Sequence, residues 1–253
     1  MMAAPRIAVV TGATSGIGQA AALRLARDNF HIIACGRNSR RGADVVAAIE
    51  AAGGSGRFHA FDVTVEADWA GLAGRIADDH GRFDVLVNSA GGFLSKSLPQ
   101  TSLADFRDLW VLDVESVVMG TKYGLRAMRD TRTAGSIINV SSLAGLIALD
   151  DCAAYCAAKA AVTHLSRVAA LEGAAFSPAI RVNSLNPGVI WTEMITGNYG
   201  DSDAVRDFCM DGNALQRVGE ATDIANAVAY LAGPASRMVT GTAMVVDGGR
   251  GSD

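Results

Sequence analysis

The sequence predicts an α/β protein built on a doubly wound, seven-stranded parallel sheet with helices on both faces. Short β-branched runs alternate along the chain with longer Ala- and Leu-rich segments whose apolar spacing is that of helices. Regular alternation of strand and helix implies parallel strands that are covered on both faces. Half of the 253 residues are apolar and 28 are Gly, which suits a large core with many tight turns.

Seven runs are candidate strands, which in chain order are RIAVV, HIIAC, RFHAF, DVLVN, SIINV, IRVNSL and TAMVVD. Long helices are expected from Leu103 to Met128 and from Ala153 to Phe176. No linker, charge block or solenoid-period repeat divides the chain, so residues 1–253 are expected to form one domain. The segment 193–215 is rich in Gly and weakly periodic, and we expect it to be a mobile flap over a ligand.

Composition and charge disfavour several kinds of partner. The chain has 22 basic and 26 acidic side chains, a formal charge of -4, so no global positive field attracts nucleic acid or an anionic membrane. No stretch approaches the roughly 20 apolar residues of a membrane-spanning helix. The four Cys lack CxxC pairing and the four His lack ligand spacing. We expect a soluble, cytoplasmic protein without a metal.

A glycine-rich turn follows the first strand. Residues Thr11 to Gly18 read TGATSGIG and lead directly into a helical pattern, which is the context that a phosphate-binding turn requires. Glycines let the backbone approach a pyrophosphate, and the free amides at the start of the helix attract the anion. A glycine cluster by itself is often only a turn, so its weight comes from this context and from the motifs that follow.

The TGxxxGIG spacing, together with the sequence NSAG at 88–91 after the fourth strand, resembles the short-chain dehydrogenase/reductase family in its single-domain branch of about 250 residues. The likeness runs essentially from end to end. It implies a Rossmann-like fold that binds a nicotinamide dinucleotide, with Asp62 and Val63 at the adenine and the Pro-Gly segment after the sixth strand at the nicotinamide. The cofactor-binding residues implied are Gly12, Ser15, Ile17, Gly18, Asp62, Val63, Asn88, Ala90, Gly91, Pro187, Gly188, Ile190 and Thr192.

The end of the second strand indicates which dinucleotide is bound. An acidic residue there would hold the ribose hydroxyls and select NAD, but this chain has Gly36 followed by Arg37. Arg40 and Arg41 lie where the next helix begins, although cations oppose the helix dipole at that end. A guanidinium pairs well with a 2'-phosphate, so NADP(H) is favoured over NAD(H). The alternative is a solvated basic loop.

Ser142, Tyr155 and Lys159 form the densest chemical signal. Tyr155 and Lys159 are four residues apart, so on a helix they share one face. A YxxxK pair alone is commonly a surface or packing pair, but with Ser142 it matches the catalytic Ser, Tyr and Lys of the family. The resemblance implies that Ser142 binds the substrate oxygen and that Tyr155 and Lys159 also contact the cofactor. We expect the Lys159 ammonium to favour the Tyr155 phenolate and lower its pKa.

The chain departs from the family at Asp113. Family members usually carry Asn on the helix before the fifth strand, where it helps to hold a water that links the catalytic Lys to solvent. The sequence LDVESVVMGTK aligns Asp113 with that Asn, with Glu115 as a second register. A carboxylate accepts a hydrogen bond but cannot donate one, and it brings a negative charge close to Lys159. Asp113 is therefore a candidate catalytic residue whose relay role is in doubt.

These expectations define a function and its alternatives. The chain is expected to be an NADP(H)-dependent oxidoreductase that interconverts a ketone or aldehyde with a secondary or primary alcohol, acting on a small molecule as a homotetramer. One alternative is a 3-oxoacyl carrier-protein reductase, whose acidic carrier would dock on basic residues such as Arg126, Arg129 and Arg132 near the site. A second alternative is a non-catalytic NADP(H)-binding sensor.

Overall fold

The computed structural model describes residues 5–252, so residues 1–4 and 253 of the expected domain lie outside the described residues. Seven parallel strands form the main sheet, in the order β3-β2-β1-β4-β5-β6-β9, and confirm the seven predicted strands. The two-residue strands β7 and β8 pair beside it and were not predicted, because two residues carry no periodicity. The strands are β1 (Arg6–Thr11), β2 (Phe30–Gly36), β3 (Ser55–Ala60), β4 (Val85–Asn88), β5 (Ser136–Val140), β6 (Arg181–Pro187), β7 (Ile190–Trp191), β8 (Gly219–Glu220) and β9 (Ala243–Val246).

Helices connect the strands. They are α1 (Gly16–Arg27), α2 (Ser39–Ala51), α3 (Glu66–His80), α4 (Leu103–Trp110), α5 (Ser116–Asp130), α6 (Ala153–Ala174), α7 (Glu193–Tyr199), α8 (Asp203–Met210) and α9 (Ala221–Ala232). The single helix expected over 103–128 is interrupted by a π-helical turn at Val111–Glu115 that joins α4 to α5. No helix within residues 5–252 has the length and apolarity to cross a membrane.

The core has two layers, one on each face of the sheet. Alternate residues of β1 point to opposite faces, so Ala8 and Val10 join one apolar cluster while Ile7 and Val9 join the other. The first cluster packs against α1, α2 and α9, and the second against α3, α5 and α6. This two-sided burial explains why the central strands read as continuous apolar runs.

The strand order reverses direction at β1, which has β2 on one side and β4 on the other. In open α/β sheets ligands bind beyond the carboxyl ends of the strands at such a point. The turn after β1 packs tightly here, since a Cβ on Gly12 would lie 2.9 Å from Ala90 Cα and the residue has φ of +63°. The Thr11 hydroxyl accepts the amides of Ser89 (3.0 Å) and Ala90 (3.1 Å), which fixes the two loops together.

Residues 193–215 differ from the irregular flap that was expected, because α7 and α8 account for most of the segment. Both helices are short, and Gly197 lies inside the first, which hides the helical period in the sequence. The segment contacts the body of the protein: for example, Arg206 stacks over the Trp191 ring at 4.3 Å, and Tyr199 packs against Phe93 with ring centroids 6.0 Å apart. It therefore lies over the carboxyl ends of the strands as a two-helix cover.

Candidate active site

A single cleft of about 630 Å³ runs along the carboxyl edge of the sheet, from the glycine-rich turn to α6 and α7. It brings together nearly all the residues that the sequence predicted for the site. Those lining it are Gly12, Ser15, Ile17, Gly18, Arg37, Asp62, Val63, Ala90, Gly91, Ser142, Tyr155, Lys159, Pro187, Gly188, Ile190 and Thr192. Asn88 and Asp113 do not line the cleft.

Asn88 belongs to the expected cofactor-binding set, and its side chain lies beneath the cleft. It is buried, and its amide donates to Asn139 Oδ1 at 2.8 Å. The Asn139 amide in turn donates to the Ser166 hydroxyl at 2.9 Å. Asn88 thus begins a polar chain that joins β4, β5 and α6 beneath the cleft, and its role toward the cofactor stays a prediction.

The glycine-rich turn has the shape of a dinucleotide cradle. Helix α1 begins at Gly16, so its first amides point toward the cleft without intrahelical partners. A Cβ on Gly18 would collide with the carbonyl group of Gly12, so only glycine permits this close packing of turn on helix. The cradle fits the pyrophosphate of a dinucleotide, as the motif implied.

Basic residues surround the end of the cleft beside β2. Arg37 is exposed and lines both the main cleft and a small adjoining recess with Thr14, Asn38 and Arg41. Arg41 is already engaged, because its Nη1 lies 2.7 Å from Glu193 Oε2 at the start of α7. Across the cleft the Thr64 amide and hydroxyl donate to Asp62 and lower the pKa of its carboxyl. Arg37 is thus the cleft-lining cation at this end.

Tyr155 and Lys159 lie on one face of α6, as their spacing predicted. Lys159 Nζ is 5.5 Å from the centroid of the Tyr155 ring, and both side chains are buried yet line the cleft. Ser142, on the loop after β5, also lines the cleft and lies close enough to the phenol to lower its pKa. Phe93 packs edge-on against the Tyr155 ring with centroids 5.0 Å apart, which fixes the ring. A hydroxyl, a phenol and an ammonium therefore meet at one end of the cleft.

Asp113 stands directly behind Lys159. Its Oδ2 lies 2.9 Å from Lys159 Nζ, and its Oδ1 accepts the amide of Gly92 at 2.6 Å. The carboxylate is fully buried, at 0 % exposure. The π-helical turn that contains Asp113 is what carries it here, within reach of the loop after β4. Where an Asn would place a neutral amide, this chain therefore has a carboxylate that forms an ion pair with Lys159.

Burial makes Tyr155 a weaker acid than was expected. Burial raises the pKa of Tyr155 above its ordinary value, and the Asp113 carboxylate adds to this, while Lys159 and the Ser142 hydroxyl act downward. Burial alone would lower the pKa of Lys159, but Asp113 and Tyr155 outweigh burial and raise it. The expected lowering of the Tyr155 pKa is therefore wrong for the protein alone, because burial outweighs the effect of the Lys159 ammonium and Asp113 adds a smaller contribution in the same direction as burial.

The rest of the cleft wall is largely apolar. Phe93 and Leu149, on the loops after β4 and β5, line it together with Met194, Tyr199 and Phe208 of α7 and α8. The loops are held to one another, since Lys96 and Cys152 form a parallel β-bridge and Lys96 Nζ pairs with Asp105 at 2.6 Å. Within residues 5–252 no cluster of His, Cys, Asp and Glu has the geometry of a metal site.

Arg250 also lines the cleft, and no motif in the sequence pointed to it. It follows β9, the last strand, whose pairing with β6 brings the C-terminal segment beside the loop of Ser142. This proximity depends on the order of strands in the sheet, so local sequence carries no sign of it.

Fold and site together define a dinucleotide-binding α/β protein with a hydroxyl, a phenol and an ammonium at one end of its cleft. Residues 12–250 match the family described as enoyl-(acyl carrier protein) reductase. The chain belongs to the short-chain dehydrogenase/reductase family, and so to the oxidoreductases that act on CH–OH groups with NAD(P).

Similar proteins span the whole chain. It is 33% identical over 246 residues to the NADP-dependent (R)-specific alcohol dehydrogenase of Lentilactobacillus kefiri, covering 96% of each chain. It is 34% identical over 244 residues to the cyclopentanol dehydrogenase of Comamonas testosteroni, again covering 96% of each. A crystal structure of a short-chain type dehydrogenase/reductase from Mycobacterium marinum has a TM-score of 0.90 at 30% identity, covering 97% of this chain and 95% of that one.

Proposed function

We propose that the protein interconverts a ketone or aldehyde and the corresponding alcohol with NADP(H), with Tyr155 as the proton-transfer group. The observation that carries the proposal is the convergence of Ser142, Tyr155 and Lys159 at one end of the cleft whose other end is the glycine-rich cradle. The two similar dehydrogenases described above act on alcohols by name, which supports this reaction class.

The bound nicotinamide would supply or accept the hydride at the carbonyl carbon. The chain's own residues handle the oxygen and its proton. In reduction, the Ser142 hydroxyl hydrogen-bonds the carbonyl oxygen and Tyr155 gives it a proton, which completes the alcohol. In oxidation, Tyr155 accepts the alcohol proton. Lys159, held by Asp113, orients the site from behind the phenol.

We propose that the coenzyme is NADP(H). The residues that would bind it are the cleft-lining members of the expected set, among them Ser15, Ile17, Gly18, Asp62 and Val63. Gly36 offers no carboxylate to the ribose hydroxyls, while Arg37 is exposed at the same end of the cleft, and Arg40, also exposed, follows at the start of α2. A free guanidinium binds a 2'-phosphate with charge-assisted bonds. The NADP dependence named for the Lentilactobacillus kefiri enzyme agrees with this preference.

The decisive experiment follows NADPH and NADH absorbance across a panel of ketones, for the unaltered protein and for Tyr155→Phe. We expect turnover to prefer NADPH and to fall by about 10²- to 10⁴-fold in the variant, with NADPH binding retained because the ring stays in place. Tyr123→Phe is the matched control, because Tyr123 is a half-buried tyrosine of α5 that does not line the cleft and whose hydroxyl donates to Glu66. Equal turnover in Tyr155→Phe would contradict the mechanism, and NADPH binding without turnover of any ketone would favour the sensor.

The carrier-protein alternative finds little support in where its docking residues lie. Arg126, Arg129 and Arg132 are at the end of α5. The next residue, Thr133, lies beside Phe83 at the start of β4, which is the amino edge of the sheet. The cleft is at the opposite, carboxyl edge. Activity with carrier-linked but not free ketones, lost as salt is raised, would nevertheless favour this alternative.

We also propose a cytoplasmic homotetramer in which residues 193–215 move as a flap. Two separate surfaces carry exposed apolar side chains: Val118, Val168 and Leu171 on α5 and α6, and Tyr230, Met238 and Val245 around α9 and β9. Two distinct self-complementary surfaces are what a tetramer of dihedral symmetry needs. Light scattering that gives the mass of a monomer would contradict this assembly.

A further inference from the structure

The segment after β9 carries an arginine into the cleft on a well-ordered turn. Asp247 organises the turn, because its two carboxylate oxygens accept the amides of Gly249 (2.9 Å) and Gly251 (2.7 Å). A Cβ on Gly251 would lie 2.7 Å from Leu143 Cδ1, so the turn packs against Leu143, the residue that follows Ser142. Arg250 is thereby held in the wall beside the loop that carries Ser142.

The Arg250 guanidinium is anchored on one side only. Its Nη1 donates to the carbonyl oxygens of Asp211 (2.7 Å) and Cys209 (3.2 Å) at the end of α8. A guanidinium has five N–H donors, and no acceptor within residues 5–252 meets Nε or Nη2. Over the same range of the chain no carboxylate lies within ion-pair distance of Arg250. The charge is positioned but not neutralised by these residues.

The other cations of the cleft differ from Arg250. Lys159 is paired with Asp113, Arg41 is paired with Glu193, and Arg37 lies at the opposite end beside β2. Arg250 contacts the Cys209 carbonyl oxygen, and the turn that carries it packs on Leu143, while both Cys209 and Leu143 line the cleft. Asp150, an exposed residue on the loop after Ser142, also lines the cleft.

The Arg250 side chain is half-buried and partly solvated, and an anion bound in the cleft would complete the hydrogen bonds of its remaining donors. A carboxylate matches its planar donors with two parallel bonds. We infer that Arg250 forms an anion subsite, so that the preferred substrate is an oxo or hydroxy carboxylic acid whose carboxylate pairs with the guanidinium. This inference rests on the proposed oxidoreductase function and names its substrate class. We assign Arg250 to substrate specificity and not to proton transfer, because the structure shows no contact between its guanidinium and the hydroxyl of Ser142 or Tyr155.

The test compares acids with their neutral esters. The probes are 3-oxocyclohexanecarboxylate, 4-oxocyclohexanecarboxylate and 7-oxooctanoate, each beside its methyl ester, with NADPH as the reductant. The set varies the separation of carbonyl and carboxylate. The variants are Arg250→Met, which keeps the length of the side chain, and Arg250→Lys, which keeps its charge. Arg237→Met removes one exposed positive charge away from the cleft and serves as the control.

We expect the unaltered protein to prefer at least one acid over its ester. In Arg250→Met the kcat/KM for that acid should fall at least about tenfold, mostly through a higher KM, while the kcat/KM for its ester should change by less than about twofold. The kcat/KM of Arg250→Lys for the acid should lie between those of the unaltered protein and Arg250→Met. Equal losses for acid and ester would show that Arg250 only caps α8, and the absence of any acid preference would also overturn the subsite. Turnover of the esters reports the proposed oxidoreductase function separately, so the two failures are distinguishable.

Discussion

Two buried aspartates, each paired with a cation, stand at opposite edges of the sheet. Asp84, at the amino end of β4, accepts two bonds from the Arg82 guanidinium (2.8 and 2.6 Å) and the amide of Ile7 in β1 (2.8 Å). Asp113, at the carboxyl edge, accepts the amide of Gly92 and faces Lys159. A buried carboxylate thus links two strands at the amino edge of the sheet, and a second one contacts the proton-transfer residues at the carboxyl edge.

The difference lies in the cation. The Arg82 side chain is 36% exposed, so water stabilises that pair from outside, whereas the Lys159 side chain is only 7% exposed. A buried charge without its partner is strongly unfavourable, so Asp113 and Lys159 depend on each other far more than Asp84 and Arg82 do. The inner pair also lies beside a titrating phenol, and each charge changes the pKa of Tyr155. The position of each ion pair in the sheet therefore decides whether it only stabilises the fold or also changes the pKa of the proton-transfer group.

The largest effect is expected from Lys159→Met. The substitution leaves the Asp113 carboxylate buried without its cation, which should lower the free energy of unfolding by about 3–5 kcal/mol and abolish turnover. Urea denaturation and NADPH oxidation measure the two effects. Adding Asp113→Asn to this variant should restore much of the stability but none of the turnover. If Lys159→Met alone were as stable as the unaltered protein, the buried Asp113 carboxylate would not depend on the Lys159 ammonium.

A smaller effect is expected at the outer pair. Asp84→Asn removes one of the two acceptor oxygens and the charge that holds Arg82, and it should lower the free energy of unfolding by about 1–3 kcal/mol. Its pH profile of turnover should match that of the unaltered protein, because Asp84 lies at the edge of the sheet opposite the cleft. A profile displaced by Asp84→Asn would show that the two edges are electrostatically coupled.

The sequence predicted more of the site than of its surroundings. TGATSGIG and the Tyr155–Lys159 spacing are local patterns, so the cradle and the face of α6 could be read from them. The π-helical turn around Asp113 could not, since its residues have an ordinary helical pattern and the extra backbone residue shows only in three dimensions. The bond from Asn88 to Asn139 beneath the cleft could not be predicted either, because motif position does not reveal which way a side chain points. Arg250 was missed because β9 meets β6 only through the sheet.

The smallest and most specific effect is expected from Asp113→Asn. The carboxylate raises the pKa of Tyr155, so its removal should lower that pKa relative to the unaltered protein. Oxidation requires the phenolate and rises as pH passes upward through this pKa, so its rising limb should move to lower pH. Reduction requires the protonated phenol, so its falling limb should move to lower pH as well. Maximal turnover should be preserved or raised, and pH profiles of kcat/KM in both directions measure the displacement.

Asp84→Asn supplies the control for this last comparison, because it also neutralises one buried carboxylate but leaves Tyr155 untouched. Both limbs must move together in Asp113→Asn, since one titrating phenol governs both directions of the reaction. If Asp113 acts only by holding the π-helical turn, the amide should keep that role through Gly92 and neither limb should move. A loss of maximal turnover greater than about tenfold, or about 1.4 kcal/mol of barrier, would instead show that the acid itself is required for proton transfer.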